Sequence, residues 1–124
     1  TDDLIKTNEG REIPEIFRTV GEEYFRDAES LAVKQAGKQS GKIIATGGGA
    51  ILKEENRIAL RENSTVIFLK SNIDRLATGG RPLSKDIDSL KEMYTKRLPL
   101  YLETADISVD VSPDPEETLR RINL

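Results

Sequence analysis

Lys42-Ile43-Ile44-Ala45-Thr46-Gly47-Gly48-Gly49-Ala50 is the stretch on which the architecture turns. A short apolar run with β-branched residues, closed by glycine at each end, reads as a buried strand over 42–46. Three glycines then follow, on the way to a helix. In an open α/β sheet this is the carboxyl end of a strand, where backbone amides can approach an anion or a hydroxylated ligand without side chains in the way. A triple glycine fits a tight strand-to-helix turn equally well, so its chemistry depends on what lies around it.

On the C-terminal side, Lys53 to Glu62 carries Ile58 and Leu60 among charges and is predicted helical. Thr65-Val66-Ile67-Phe68-Leu69 is a second strand, the clearest in the chain. Asn72 caps a short helix to Ala77, Thr78-Gly79-Gly80 breaks it, and a long helix from Ile87 to Arg97 precedes Pro99. Ile107 to Val111 is a third strand. Asp114 and Pro115 then supply the cap and first turn of a closing helix from Glu116.

On the N-terminal side, Ile13, Ile16, Phe17 and Val20 predict a short helix over 13–19 with Pro14 in its first turn, interrupted by Gly21. A second helix runs from Glu22 to Ala36, with Phe25, Ala28, Ala32 and Ala36 on one side and Gly37 placed to stop it. The alternation of strand and helix predicts an α/β domain, a parallel sheet flanked by helices with right-handed crossovers. Three strands make a thin sheet, and parallel strands need neighbours. At least one further strand is therefore expected outside these residues.

The 124 residues suit a single domain spanning 1–124, and 36% hydrophobic with 33% charged residues is polar but patterned. A net charge of −3 with signs interspersed argues against nucleic acid as a partner, so any anion must be held by a few placed arginines. Without Cys or His the chain has no thiol nucleophile, no imidazole base and no usual zinc ligand set. No apolar run approaches a membrane span and no signal-peptide core is visible, so a cytoplasmic location is expected. The first residue is Thr, so the natural start is expected upstream.

The candidate side chains each have an ordinary reading. Arg26 lies four residues from Glu22 and three from Glu29, the spacing of a solvated ion-pair network worth little. Arg97 ends a helix, where a cation offsets the macrodipole. Arg81, after Gly79-Gly80, sits where a lid from Thr78 to Asp86 would close. Two arginines, a triple glycine and Asp2 beside segments able to converge on one sheet edge suit a polyhydroxy carboxylate. Guanidinium forks grip carboxylates, and aspartate accepts from vicinal hydroxyls. Gly37-Lys38-Gln39-Ser40-Gly41-Lys42 only imitates a phosphate loop, because Ala36 replaces its first glycine and Ile43 its Ser or Thr.

Asp2, Ile13-Pro14-Glu15-Ile16-Phe17, Gly21-Glu22 with Phe25-Arg26 and Glu29, Ala45 to Ala50, Arg81-Pro82-Leu83, and Arg97 before Pro99-Leu100-Tyr101 together resemble the shikimate kinases in content and order. The resemblance implies a P-loop-kinase-like parallel sheet that is incomplete here, because the family's central first strand, phosphate loop and magnesium-associated aspartate have no match. The sheet would be completed by the missing N-terminal segment or by another chain. It also implies transfer of the γ-phosphoryl of ATP, with Mg2+, to the 3-hydroxyl of shikimate in chorismate and aromatic amino acid biosynthesis.

By the same resemblance, Asp2 would bind shikimate hydroxyls and position the attacking one, while Arg26 and Arg97 would grip the carboxylate. Gly47, Gly48 and Gly49 would offer backbone contacts, Phe17 and Phe25 would wall the pocket, and Glu29 would orient the arginines. Arg81 would be the lid arginine reaching the ATP phosphates, and ATP and Mg2+ would be held mainly by the missing segment. The chain alone is expected to be inactive. Two rival expectations stand beside this one: a non-catalytic shikimate-binding module fused to another pathway enzyme or a regulator, and a kinase for another small molecule such as gluconate.

Overall fold

A computed structural model describes residues 1–71 and 87–122. The elements are α1 (Asp2–Glu9), α2 (Ile13–Gly37), a 3-10 turn (Gly48–Leu52), α3 (Glu54–Glu62), β1 (Ile67–Lys70), α4 (Ile87–Thr104), β2 (Ile107–Asp110) and α5 (Pro115–Arg121). They fall into two units, Thr1–Ser64 and Thr65–Leu124.

In the first unit, α1 is an element that hydrophobic periodicity does not announce. Its first turn holds Asp2 and Asp3, where negative charge suits the helix dipole, and Gly10 ends it at φ 70 with its N–H donated to the Lys6 carbonyl. Helix α2 opens on Pro14 and is broken at Gly21, whose φ of 87 and ψ of 175 are non-helical. The two expected helices are thus joined end to end across a kink. Ile5 of α1 and Ile16, Phe25 and Ala32 of α2 are buried together, with Leu4, Ile13 and Ala28 packed against them. A side chain of Ile or Phe size contributes about 1.5–3 kcal/mol when fully buried, so this cluster fixes α1 on α2.

Helix α2 does end at Gly37, but that glycine has a second use. A Cβ there would lie 2.9 Å from the Ala59 carbonyl oxygen, so α2 and α3 meet backbone to backbone. On α3 the buried residues are Asn56 and Leu60, while Ile58 is exposed, which turns the inward face away from the one Ile58 suggests.

The strand expected over 42–46 is not formed. Residues 42–47 have no regular secondary structure, and Ile43 is 101% exposed. β propensity expresses packing on a half-buried pleated surface, and Ile43 has none to pack on. The Thr1 backbone nitrogen donates to the Ala45 carbonyl, tying the start of α1 to the residues just before the glycines.

Among the described residues the second unit pairs two strands, where the sequence predicts a three-stranded sheet. β1 and β2 run parallel in the register Ile67↔Ile107 to Lys70↔Asp110. Their entry is fixed where the Val66 N–H donates to the Asp106 carboxylate at 2.7 Å and the Asp106 N–H donates to the Val66 carbonyl at 2.8 Å. Helix α4 runs through Pro99 instead of stopping before it. Tyr101, beyond the proline, stacks on Phe68 of β1 at 4.9 Å, so the residues after Pro99 are held by a tertiary contact. At α5 the expected cap is present, with Asp114 Oδ1 accepting the Glu116 N–H at 3.0 Å. The expected helix from Asn72 to Ala77, the lid over 78–86 and Arg81 lie outside the described residues.

Candidate functional site

The first unit brings most of the candidate residues to one place. Arg26 and Glu29 stand one turn apart on α2, and their side chains meet beside the glycines. Arg26 Nη1 donates to Glu29 Oε1 at 3.0 Å, and Arg26 Nη2 lies 3.4 Å from Glu22 Oε1. The two carboxylates differ sharply in surroundings: the Glu29 side chain is 3% exposed and that of Glu22 66%. Solvated pairing therefore describes Glu22 but not Glu29. A buried carboxylate needs a partner, and Arg26 supplies it at 3.0 Å.

The guanidinium lies directly on the glycine turn. A Cβ on residue 49 would stand 2.4 Å from Arg26 Nη1 and 2.6 Å from Nη2, so glycine here is a requirement of close approach. A Cβ on residue 47 would lie 3.9 Å from Glu29 Oε2, which turns that oxygen towards the start of the turn. Gly47 and Gly48 are exposed and Gly49 is buried, so the turn shows its first two residues to solvent above an arginine. Arg26 Nε is buried with no hydrogen-bond partner among the described residues. The fork thus sits fixed by carboxylate on one side with donor capacity to spare.

Aromatic rings close one flank. Phe17 and Phe25 pack with centroids 4.6 Å apart at 38°, and the Arg26 guanidinium carbon is 5.3 Å from the Phe25 centroid. Phe25 is buried while Phe17 is 40% exposed, leaving an apolar surface next to a cation. Asp2, the first residue of α1, is exposed, and the hydrogen bond from Thr1 to Ala45 places its backbone close to the approach to Gly47. Such a setting can take a carboxylate on the guanidinium and backbone amides, hydroxyls on an aspartate, and a ring face on phenylalanine.

Arg97 belongs to the second unit, on α4, and is half-buried with no ion pair among the described residues. No group of three or more Asp, Glu, His or Cys able to hold a metal occurs among the described residues, and no described helix is long and apolar enough to cross a membrane. Sequence reasoning missed two contributors to the turn: Asn56 and Arg57 of α3 donate to the carbonyls of Ala50 and Ile51 at 2.9 and 2.7 Å. The polar Asn56 four residues before Leu60, on the same helical face, was the available signal.

Fold and site define an α/β chain in which an arginine, paired with a buried carboxylate, lies on a glycine turn. The family model described as shikimate kinase matches residues 1–123. The chain belongs to the shikimate kinase family.

Among curated relatives, the shikimate kinase of Bordetella avium is 40% identical over 118 residues, covering 89% of this chain and 56% of the relative. That of Dictyoglomus turgidum is 41% identical over 120 residues, covering 89% and 70%. Against the Bordetella relatives the chain thus spans little more than half the length. Among solved structures, shikimate kinase from Acinetobacter baumannii in complex with shikimate superposes with a TM-score of 0.84 at 26% identity, covering 96% of this chain and 72% of that one. The Aquifex aeolicus enzyme gives 0.83 at 31% identity, with 98% and 73% covered. The α/β class with a parallel sheet is therefore that of the shikimate kinases, although the described residues pair two strands of it.

Proposed function

We propose that this chain carries the acceptor-binding part of a shikimate kinase, the reaction being transfer of the ATP γ-phosphoryl to the 3-hydroxyl of shikimate. The observation that carries the reading is the Arg26 guanidinium, anchored by buried Glu29 and lying against Gly49. In this reading the substrate carboxylate is held by the Arg26 guanidinium and ring atoms rest on Phe17 and Phe25, while Arg97 is a second carboxylate contact on the family resemblance alone. Asp2 accepts from the hydroxyls and orients the attacking one, while the amides at Gly47 to Gly49 complete the contacts. Phosphoryl transfer depends mainly on such positioning and on charge compensation.

ATP supplies the transferred group and Mg2+ its charge compensation when bound. The 124 residues contain no phosphate-loop motif, and the described residues contain no acidic cluster for the metal, so no step is assigned to either here. Arg81 is proposed as the lid arginine towards the nucleotide phosphates, and a cytoplasmic setting goes with the family's reaction. The chain by itself is proposed to turn over little or no ATP.

Calorimetric titration separates this from the rivals. Shikimate is expected to bind and gluconate to bind far more weakly. Arg26→Ala should cost about 1.5–3 kcal/mol of shikimate affinity, the scale of a charge-assisted hydrogen bond, or roughly 10- to 150-fold. Equal binding of the two acids, or no loss in Arg26→Ala, would return Arg26 to a surface role. A shikimate-dependent ATP turnover at an ordinary kinase rate would overturn the statement that the chain alone is inactive.

A further inference from the structure

The 3-10 turn ends in a difficulty that its own backbone cannot solve. Lys53, next after Leu52, is extended at φ −97 and ψ 131, so the last carbonyls of the turn have no helical N–H ahead of them. Two successive side chains of α3 meet this need. Asn56 Nδ2 donates to the Ala50 carbonyl at 2.9 Å, and Arg57 Nη1 donates to the Ile51 carbonyl at 2.7 Å. Within the turn the Ala50 N–H bonds back to the Gly47 carbonyl at 3.2 Å, so the grip on Ala50 extends to the glycines.

Asn56 is 1% exposed, and its Oδ1 is buried with no hydrogen-bond partner among the described residues. The Asn56 amide is thus committed through Nδ2 to the Ala50 carbonyl, and no second partner among the described residues shares it. Leucine at 56 would exchange one orphan, Asn56 Oδ1, for another, the Ala50 carbonyl. Stability would then change little, while the hold on the turn would vanish.

We infer that Asn56, with Arg57 beside it, is a positioning residue that sets the height of Gly48 and Gly49 under the Arg26 guanidinium and so tunes the acceptor site. This rests on the reading of the glycine turn as the shikimate site. Both side chains are committed to backbone carbonyls of the turn. They act through Ala50 and Ile51, whose displacement moves the amides against which Arg26 is packed.

The test compares wild type, Asn56→Leu, Arg57→Ala, Arg57→Lys and the surface control Lys34→Met by amide NMR without ligand, by thermal melting and by shikimate titration. Asn56→Leu is expected to shift the Gly48, Gly49 and Arg26 amide resonances and to weaken shikimate binding roughly tenfold, with the melting temperature held within about 4 °C. Arg57→Ala should do the same to a smaller degree, and Arg57→Lys should recover most of it, since lysine still offers a donor to Ile51.

Unmoved glycine amides with unchanged affinity would overturn the inference, as would an affinity loss that follows melting temperature alone. If Asn56→Leu fails to fold, half-buried Arg57 carries the comparison through its Ala and Lys variants. If wild type takes up no shikimate, the functional reading fails by itself, and the glycine and Arg26 amide shifts still decide whether the two residues hold the turn.

Discussion

Helix α2 pairs its charges in two directions, and the two sets are unlike. Towards the glycine turn, Arg26 meets Glu29 where the carboxylate side chain is 3% exposed. Towards the start of α3, Lys34 meets Glu55 at 2.9 Å and Asp27 meets Lys53 at 2.6 Å, with side chains 34 to 71% exposed. The lengths are similar, but the solvent is not. Water and salt already satisfy the outer ions, so those pairs do little more than decorate the junction. The inner pair has given up its water and must be satisfied by protein or ligand. Short distance is therefore no guide to importance in this chain, whereas burial beside backbone that only glycine can supply is.

The largest expected break in this contrast is Arg26→Met, which strands Glu29 in the interior. A loss of about 3 kcal/mol in unfolding free energy at neutral pH is expected from urea melts, recovered in part by Glu29→Gln in the same chain. No loss would show that Glu29 is solvated after all.

Next comes Gly49→Ala. The new methyl would displace the Arg26 guanidinium, the far end of a flexible side chain, so the fold should persist while shikimate affinity falls by at least about tenfold, as calorimetry would read it. Gly37→Ala sharpens the contrast from the other side. Its clash is with the Ala59 carbonyl, backbone that cannot swing away, so roughly 1–3 kcal/mol of stability should be lost with affinity in the surviving folded fraction kept.

The smallest effect belongs to the outer pairs. The Lys34 ammonium holds the Glu55 carboxyl below its ordinary value of 4.5, first by hydrogen bond and then by charge. A depressed carboxyl contributes stability that is present above that ordinary value and is lost as pH falls through the lower folded value. Lys34→Met should therefore change melting hardly at all at pH 7, and what difference there is from wild type should shrink as pH falls from 4.5 through the lowered folded value. A large neutral-pH effect would erase the distinction between the two sides of α2.

How far the sequence foretold these features depended on whether local chemistry or distant partners decided them. Asp114 capping α5, Pro14 opening α2 and Gly21 breaking it are set by a few adjacent dihedrals, and all are found where expected. The run at 42–46 has the composition of a strand, yet strand formation requires a neighbour, and Ile43 stands fully in solvent. Pro99 signals an end, yet α4 continues through it to Tyr101, which stacks on Phe68, a contact local sequence does not show. Helix α1 has too few apolar residues to show a period and is marked only by Asp2, Asp3 and Gly10 at its ends.

At the site, Arg26, Glu29 and the glycines were legible as a set, but the sequence spacing alone could not separate buried Glu29 from exposed Glu22. That difference arises only when the glycine turn folds against α2. Asn56 stayed hidden because a polar residue on a short charged helix suggests solvent rather than a buried hydrogen bond to Ala50.

On the proposed function, the acceptor is expected to bind on the glycine-turn side of α2. Amide chemical-shift mapping of the chain during shikimate titration tests it most directly. Saturable shifts are expected at Phe25, Arg26, Glu29 and Gly47 to Gly49, with Lys34, Lys53 and Glu55 still. Shifts confined to those outer residues, or none at saturating shikimate, would contradict it.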